Sequence, residues 1–473
     1  MSLVQLAADP LPVLNTGNNA WMLASAALVL LMTPGVAFFY GGLVRRKSVL
    51  NMMMMSFGAM GVVGIVYVLW GYSMSFSKNV AGGLFGNPAT AFGLKGLFPE
   101  GPNADGLETV SNSLYSGSGV TALTVVAFQV TFAIITVALI SGSVADRMKF
   151  STWMVFAAIW VTVVYFPLAH MVWGGGLLSG WEGGLAAKLF GTTDSAATVV
   201  PIDFAGGTVV HIDAGMAGLV LALLLGKRRG FGREPLRPHN VPYTMLGAAL
   251  LWFGWFGFNA GSASAANGTA GLAWMNTSTA TSAAMLGWLA VEMFRDKHAT
   301  GVGAASGAVA GLVAITPAAG ALSPVGAIVL GLLAGALCAL AIGLKYKLGY
   351  DDSLDVVGVH LVGGIVGTVG IGFLGTSTGL FYGGGGRQLV IQILIAAAAI
   401  VFSGVLSLVI GLILKATMGL RATQEQEAEG LDITIHGESA YDTESSGASG
   451  GMFTSPTTPA GPAAGASREE VNA

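Results

Sequence analysis

Two histidines, His211 and His360, sit inside long apolar stretches, and each opens the same pattern, H-x3-G-x2-G. Gly215 and Gly218 follow the first; Gly364 and Gly367 follow the second. An ionisable side chain is costly within a bilayer and, where it occurs, faces a polar cavity or a partner. A lone histidine on an apolar helix reads most simply as a packing residue; a matched pair in one framing reads as a shared path. Neutral imidazole both donates and accepts hydrogen bonds and hands on protons. Two adjacent imidazoles in a dry pore suit a small, hydrogen-bonding, mostly uncharged species. They suit an alkali cation poorly, because stripping its water in a low dielectric costs on the order of 20 kcal/mol. A cation that can shed a proton escapes much of that cost.

Capturing such a cation needs an outer vestibule. Trp173, in H-M-V-W-G-G-G, offers an indole face worth about 0.5–2 kcal/mol to a cation and falls just past an apolar stretch. Taken alone, it reads first as an interfacial anchor. Ser262, in F-N-A-G-S, offers a hydroxyl acceptor, and Phe132 and Phe258 are placed to close a pore beneath them. Spacing alone does not demand these roles. Asp203 precedes a helical stretch and is a good cap and dipole partner there; attraction of cations is an equal reading.

The elements that must position these residues are membrane helices. Of 473 residues, 53% are apolar and only 10% charged, where soluble domains carry about 25% charged residues. This excludes an ordinary soluble enzyme, and no G-x4-G-K-[ST] phosphate loop signals a nucleotide-driven pump. The 71 glycines suit a tightly packed helical bundle, since small residues let backbones approach. The single cysteine, Cys338, rules out an intrachain disulfide and a cysteine metal cluster; no cofactor or metal is expected. Eleven spans are read, at 20–40, 50–75, 119–144, 150–172, 204–225, 241–260, 273–294, 300–315, 325–344, 356–373 and 390–418. The fold class is therefore an all-α polytopic membrane protein.

The charges fix an orientation. Of the 21 Lys and Arg residues, all but Lys78, Lys95, Lys188 and Arg387 fall in one set of alternate loops or the tail. By the positive-inside rule that set is cytoplasmic, so the N-terminus lies outside and the C-terminus inside. Spans one to five (20–225) and six to ten (241–373) then form an inverted repeat, with one histidine in the last span of each half. The span at 390–418 is extra. Residues 1–19 form an extracytoplasmic segment without the basic start of a signal peptide. The tail, 419–473, begins polar and charged and becomes Ser, Gly, Pro, Thr and Ala, so disorder is expected from about 446. Its first part is expected to dock on the cytoplasmic face of a neighbouring subunit.

Long strings carry a resemblance from about Trp21 to Asp442. They are A-W-M-L-A-S-A-A-L-V-L-L-M-T-P-G-V-A-F-F-Y-G-G, D-F-A-G-G-T-V-V-H, W-F-G-F-N-A-G-S, D-V-V-G-V-H and G-L-D-I-T-I-H-G-E-S-A-Y. The chain resembles the ammonium transporter/methylammonium permease/rhesus group. The resemblance implies a homotrimer of eleven-helix subunits, one pore in each, in the bacterial inner membrane. It implies that His211 and His360 are the twin pore histidines, that Phe132 and Phe258 form the gate, and that Trp173, Ser262 and Phe132 hold ammonium. It implies that Phe128 and Thr316 line or flank the vestibule, that Asp203 acts structurally or electrostatically near it, and that a PII-type protein meets the cytoplasmic face. Ammonium captured outside, deprotonated and passed on as ammonia fits both residues and resemblance; a passive ammonia channel and an ammonium sensor signalling through the tail stand as alternatives. One position departs from the group. Asp213 stands where Asn or Ser is common, and two residues from His211 is about 200° around a helix, so it should face away from the pore.

Overall fold

Apolar runs bounded by caps fold into a succession of helices, and the caps are legible in the sequence. The helices are α1 (Thr16–Leu43), α2 (Arg46–Phe76), α3 (Ala122–Val144), α4 (Phe150–Val172), α5 (Gly207–Leu225), α6 (Val241–Gly261), α7 (Gly268–Arg295), α8 (Gly301–Ile315), α9 (Pro324–Leu348), α10 (Val357–Leu374), α11 (Arg387–Thr417) and the short tail helix α12 (Gln424–Glu429). Asn15, Thr121, Asn240, Asn267, Thr300 and Ser323 each cap a helix start by accepting a backbone N–H, as polar N-cap residues do. This computed structural model describes residues 13–98, 110, 116–234 and 236–441. The chain divides into Met1–Ala440 and Tyr441–Ala473. The expected disorder beyond about 446 and most of the 1–19 segment lie outside the described residues.

Among the described residues, nine helices are long and apolar enough to cross a membrane, so the protein is a multi-pass membrane protein. Two of the eleven expected spans, 273–294 and 300–315, correspond to α7 and α8, which fall outside the nine. The reason is chemical for α7 and geometric for α8. α7 carries Thr277, Thr279, Thr281 and Ser282, whose hydroxyls donate to carbonyls one turn back; hydropathy counts them as polar although their own helix satisfies them. α8 has only 15 residues.

The bundle turns many large apolar side chains outward and packs small residues at helix contacts, although Trp153, Trp160 and Trp255 are buried. Leu23, Ile65, Leu223, Phe253, Leu286, Leu340, Val401 and Ile413 are exposed, whereas alanines of α6 to α9 form a core with Ile315, Leu322 and Leu330. This is the pattern expected where lipid, not water, surrounds the helices. Two short antiparallel ribbons, Asn79–Val80 with Phe85–Gly86 and Thr192–Thr193 with Ala196–Ala197, decorate the loops.

The two histidine helices run in opposite directions. α5 starts beside Asp203 and ends at Leu225, whose carbonyl accepts from Arg421. α10 starts beside Asp352, whose carboxylate accepts from Val357 N at 2.7 Å. Arg45, Asp146, Arg147, Arg228, Asp351 and Arg421 gather at this second end, termed the basic end below. The tail turns back beneath it. Leu420 accepts from Lys149 N, and Ala422 N donates to Arg147 O. The Asp432 carboxylate accepts from Leu50 N at 3.0 Å and Asn51 N at 2.8 Å. These contacts of the tail are with its own chain.

Candidate functional site

At the end opposite the basic residues, a cavity of about 290 Å³ is lined by Gln129, Phe132, Trp173, Asp203, Phe204 and Ser262, among others. The helix ends explain how they meet. Trp173 terminates α4, and its indole N–H donates to the Asp203 carbonyl at 2.8 Å. Ser262 terminates α6, and its hydroxyl donates to Phe258 O at 2.8 Å, leaving its oxygen lone pairs free to accept. Asp203 spends its carboxylate on the start of α5. It accepts from Gly206 N at 2.8 Å, Gly207 N at 2.6 Å and Thr208 N at 2.9 Å, and also from the Thr208 hydroxyl. That is a helix cap opposing the positive end of the helix dipole, and it fixes the loop that carries the cavity wall. Gly206 makes the turn possible, with φ at 122°, a conformation that strains any side chain.

Below the cavity the rings form a continuous column. Phe132 meets Trp173 edge-on at 6.0 Å and stacks on Phe258 at 4.1 Å, with 26° between planes. Phe258 and His211 follow at 6.2 Å, then His211 and His360 at 5.4 Å. The two imidazoles approach through Nδ1 at 3.3 Å, and both residues are buried. One Nδ1 must then carry the proton and the other accept it, so the uncharged pair holds its rings in opposite tautomers. Glycines permit the approach. A Cβ on Gly215 would lie 2.5 Å from Leu361 N, and one on Gly364 would lie 3.0 Å from Gly207 O. The shared x3-G spacing thus lets α5 and α10 cross at the histidines.

Not every expected residue lines this path. Phe128 stands behind Phe132, ring to ring at 4.8 Å. Thr316 lies deeper than the cavity wall; it accepts from Trp255 Nε1 at 2.8 Å and donates to Leu312 O at 2.7 Å. Asp213 is fully buried, and its backbone carbonyl accepts from Ser403 of α11 at 2.8 Å. Its carboxylate oxygens have no partner among the described residues.

Sequence reasoning missed three features. Trp255 stacks on His211 at 5.4 Å, with 19° between planes; its position three residues before Phe258, one helical face, was the available signal. Each histidine lies in a π-helical turn, Gly207–Ile212 and Val357–Leu361, and such turns concentrate at functional sites. Finally, Asp203 and Asp352 each stand eight positions before a histidine, one at either end of the path.

Comparison with known proteins agrees with this geometry. Residues 20–441 match the model of the Ammonium Transporter Family. An ammonium transporter of Mycobacterium tuberculosis (strain ATCC 25618 / H37Rv) is 54% identical over 454 residues, covering 92% of each chain. One from Bacillus subtilis (strain 168) is 44% identical over 90% of this chain and 98% of its own. Among solved structures, Candida albicans Mep2 superposes with a TM-score of 0.75 at 30% identity, over 87% of this chain and 88% of its own. A protein described as "Sensor Amt Protein" superposes with a TM-score of 0.77 at 28% identity, over 89% and 98%. Together with the paired histidines and the aromatic column, these matches assign the chain to the Ammonium Transporter Family.

Proposed function

We propose that this protein takes up ammonium by capturing the cation in the aromatic cavity, deprotonating it, and passing ammonia along the histidine pair. The observation that carries the reading is the unbroken column Trp173–Phe132–Phe258–His211–His360 beneath a cavity with an acceptor hydroxyl. The cation rests against the faces of Trp173 and Phe132 and donates to Ser262. The stacked Phe132 and Phe258 exclude its hydration shell, which favours the neutral form, and the proton it sheds passes to water in the open cavity. Ammonia then donates and accepts along the imidazole edges, and is reprotonated beyond them. Phe128 supports Phe132 from behind, Thr316 holds Trp255 against His211, and Asp203 holds the cavity wall.

In this reading α7 and α8 complete eleven spans, with α11 as the unpaired extra helix. The division is 1–19 outside, 20–418 in the bacterial inner membrane and 419–473 in the cytoplasm. The basic end is the cytoplasmic one, three subunits assemble, and a PII-type regulatory protein docks on that face. If the proton follows the ammonia, uptake is electrogenic and gains about 2.3 kcal/mol per 100 mV.

The test is current across a membrane reconstituted with purified protein, after an ammonium pulse and after sodium or potassium pulses. We expect a current specific to ammonium that His211→Ala and His360→Ala each lower at least about tenfold, or 1.4 kcal/mol. Full rate and selectivity in both variants would refute the mechanism. Internal alkalinisation without current would identify passive ammonia conduction.

A further inference from the structure

The path does not use a strongly charged cavity at the basic end. At the basic end a space of about 640 Å³ opens between the loop after α5 and the first residues of the tail. Lys227, Arg228 and Arg229 form one wall; Arg421, Thr423 and Glu427 form the other. Basic loop residues report orientation when they simply stand in solvent. Here Arg228 is buried, and Arg421 arrives from the tail to donate to the Leu225 and Lys227 carbonyls. Orientation alone requires neither.

The cations outnumber their partners. Arg228 is held by Asp351, with Nη2 to Oδ1 at 2.7 Å, and Arg421 by Glu427. Buried Arg147 binds the carbonyl of Asp351. Lys227 and Arg229 are exposed and make no ion pair among the described residues. Arg228 Nη1, although buried, has no hydrogen-bond partner among them either. Burial, the repulsion of Arg228 and Arg421 adding to it and Asp351 opposing it, holds the Arg147 guanidinium down at about 10. Four cations, Lys227, Arg228, Arg229 and Arg421, thus line this cavity against one lining carboxylate, Glu427, with Asp351 held by Arg228 behind them.

We propose that this cavity binds an anion bearing two or more phosphate groups, held between Lys227 and Arg229 on the loop and Arg421 on the tail. Guanidinium forks match phosphate oxygens with paired hydrogen bonds. A chloride or single carboxylate would neither span the space nor balance the excess charge. The volume falls within the range of about 300–1,000 Å³ typical of small-molecule sites. The chemistry is shared by a soluble diphosphate or nucleotide and by the two-phosphate headgroup of cardiolipin, which basic pockets at helix ends also take. Because Arg421 and Glu427 form one wall, the occupant competes with Glu427 for Arg421 and so bears on how the tail is held.

The experiment uses the full chain in nanodiscs of phosphatidylcholine alone and in nanodiscs containing cardiolipin. Pyrophosphate and ATP without magnesium are titrated into the neutral discs and binding is followed by equilibrium dialysis. Lipid retention in the cardiolipin discs is followed by native mass spectrometry. The comparison protein is K227Q/R229Q, whose exposed side chains make no ion pair among the described residues and lie outside the ammonium path, so its ammonium current serves as a folding control. Saturable binding of pyrophosphate or ATP that the variant weakens at least about tenfold supports a soluble ligand. Cardiolipin retention lost in the variant, with no soluble binding, supports the lipid headgroup. No saturable binding of any of the three, or binding unchanged in K227Q/R229Q, overturns the proposal.

Discussion

The imidazole of His211 is flanked on one side by His360 and on the other by Trp255, and the second neighbour makes a prediction of its own. The Trp255 indole is locked by Thr316, a bond worth about 1 kcal/mol. Trp255→Phe keeps a ring against His211 but frees it to tilt. Ammonium current should fall several-fold while Tm drops by only a few degrees; unchanged current would mean that the indole merely fills space. At this scale the sequence was informative where chemistry is rare. Two histidines in apolar helices stand out on any reading, and Asp203 reads as a cap from its place before a helix. Phe132, Phe258 and Thr316 are ordinary residues among 23 phenylalanines and many threonines, and only the resemblance singled them out. The depth of Thr316 depends on how α8 leans on α6, which no local pattern encodes. Asp213 is buried, and its backbone carbonyl meets Ser403 of α11.

At the level of elements, the crossing of α5 and α10 depends on the absence of a methyl group. Gly215→Ala sets a Cβ 2.5 Å from Leu361 N and 2.7 Å from its Cα, and backbone cannot swing aside as a side chain would. Overpacking of this kind costs about 1–3 kcal/mol, so we expect a lower Tm together with reduced ammonium current. Gly61→Ala, with nothing within 4 Å of the added atom, is the control and should leave both unchanged. Equal behaviour of the two variants would show that the helices tolerate separation. The helices themselves were readable, since hydropathy and alternating charge check each other. The π-helical turns were not, because one additional residue per turn leaves no compositional mark. α7 shows why hydropathy undercounts: Thr277 and Thr281 are polar by type but bonded to their own helix.

Across the whole molecule, the basic end joins loops far apart in sequence, and its ion pairs carry a pH signature. Burial pushes the Asp351 carboxyl up, but the hydrogen bonds and charge of Arg228, with Arg147 adding to them, outweigh it and hold the carboxyl below its ordinary value. A carboxylate held lower in the fold than in the unfolded chain stabilises fully above the unfolded value of about 4. That stability fades as pH falls through the lowered folded value. Thermal scans from neutral to acid pH should therefore show a loss in the wild type below about pH 4 that is shallower in Arg228→Gln; parallel curves would remove this pair from the acid limb. The tail supplies another test. Asp432→Ala uncaps α2, at about 1 kcal/mol, and hydrogen exchange at Leu50 and Asn51 should quicken; unaltered exchange would mean the cap is not held in solution. That the tail is charged and ordered-looking was legible; that it returns to α2 was not, since the pairing spans 382 residues. The same separation bears on biogenesis. At ~5–20 residues per second, a ribosome adds the carboxylate that closes the start of α2 roughly 20–80 s after it adds Leu50. Until then the second helix of the bundle stays unsealed, so a chain cut short before Asp432 leaves the Leu50 and Asn51 N–H groups at its basic end without the carboxylate that closes them.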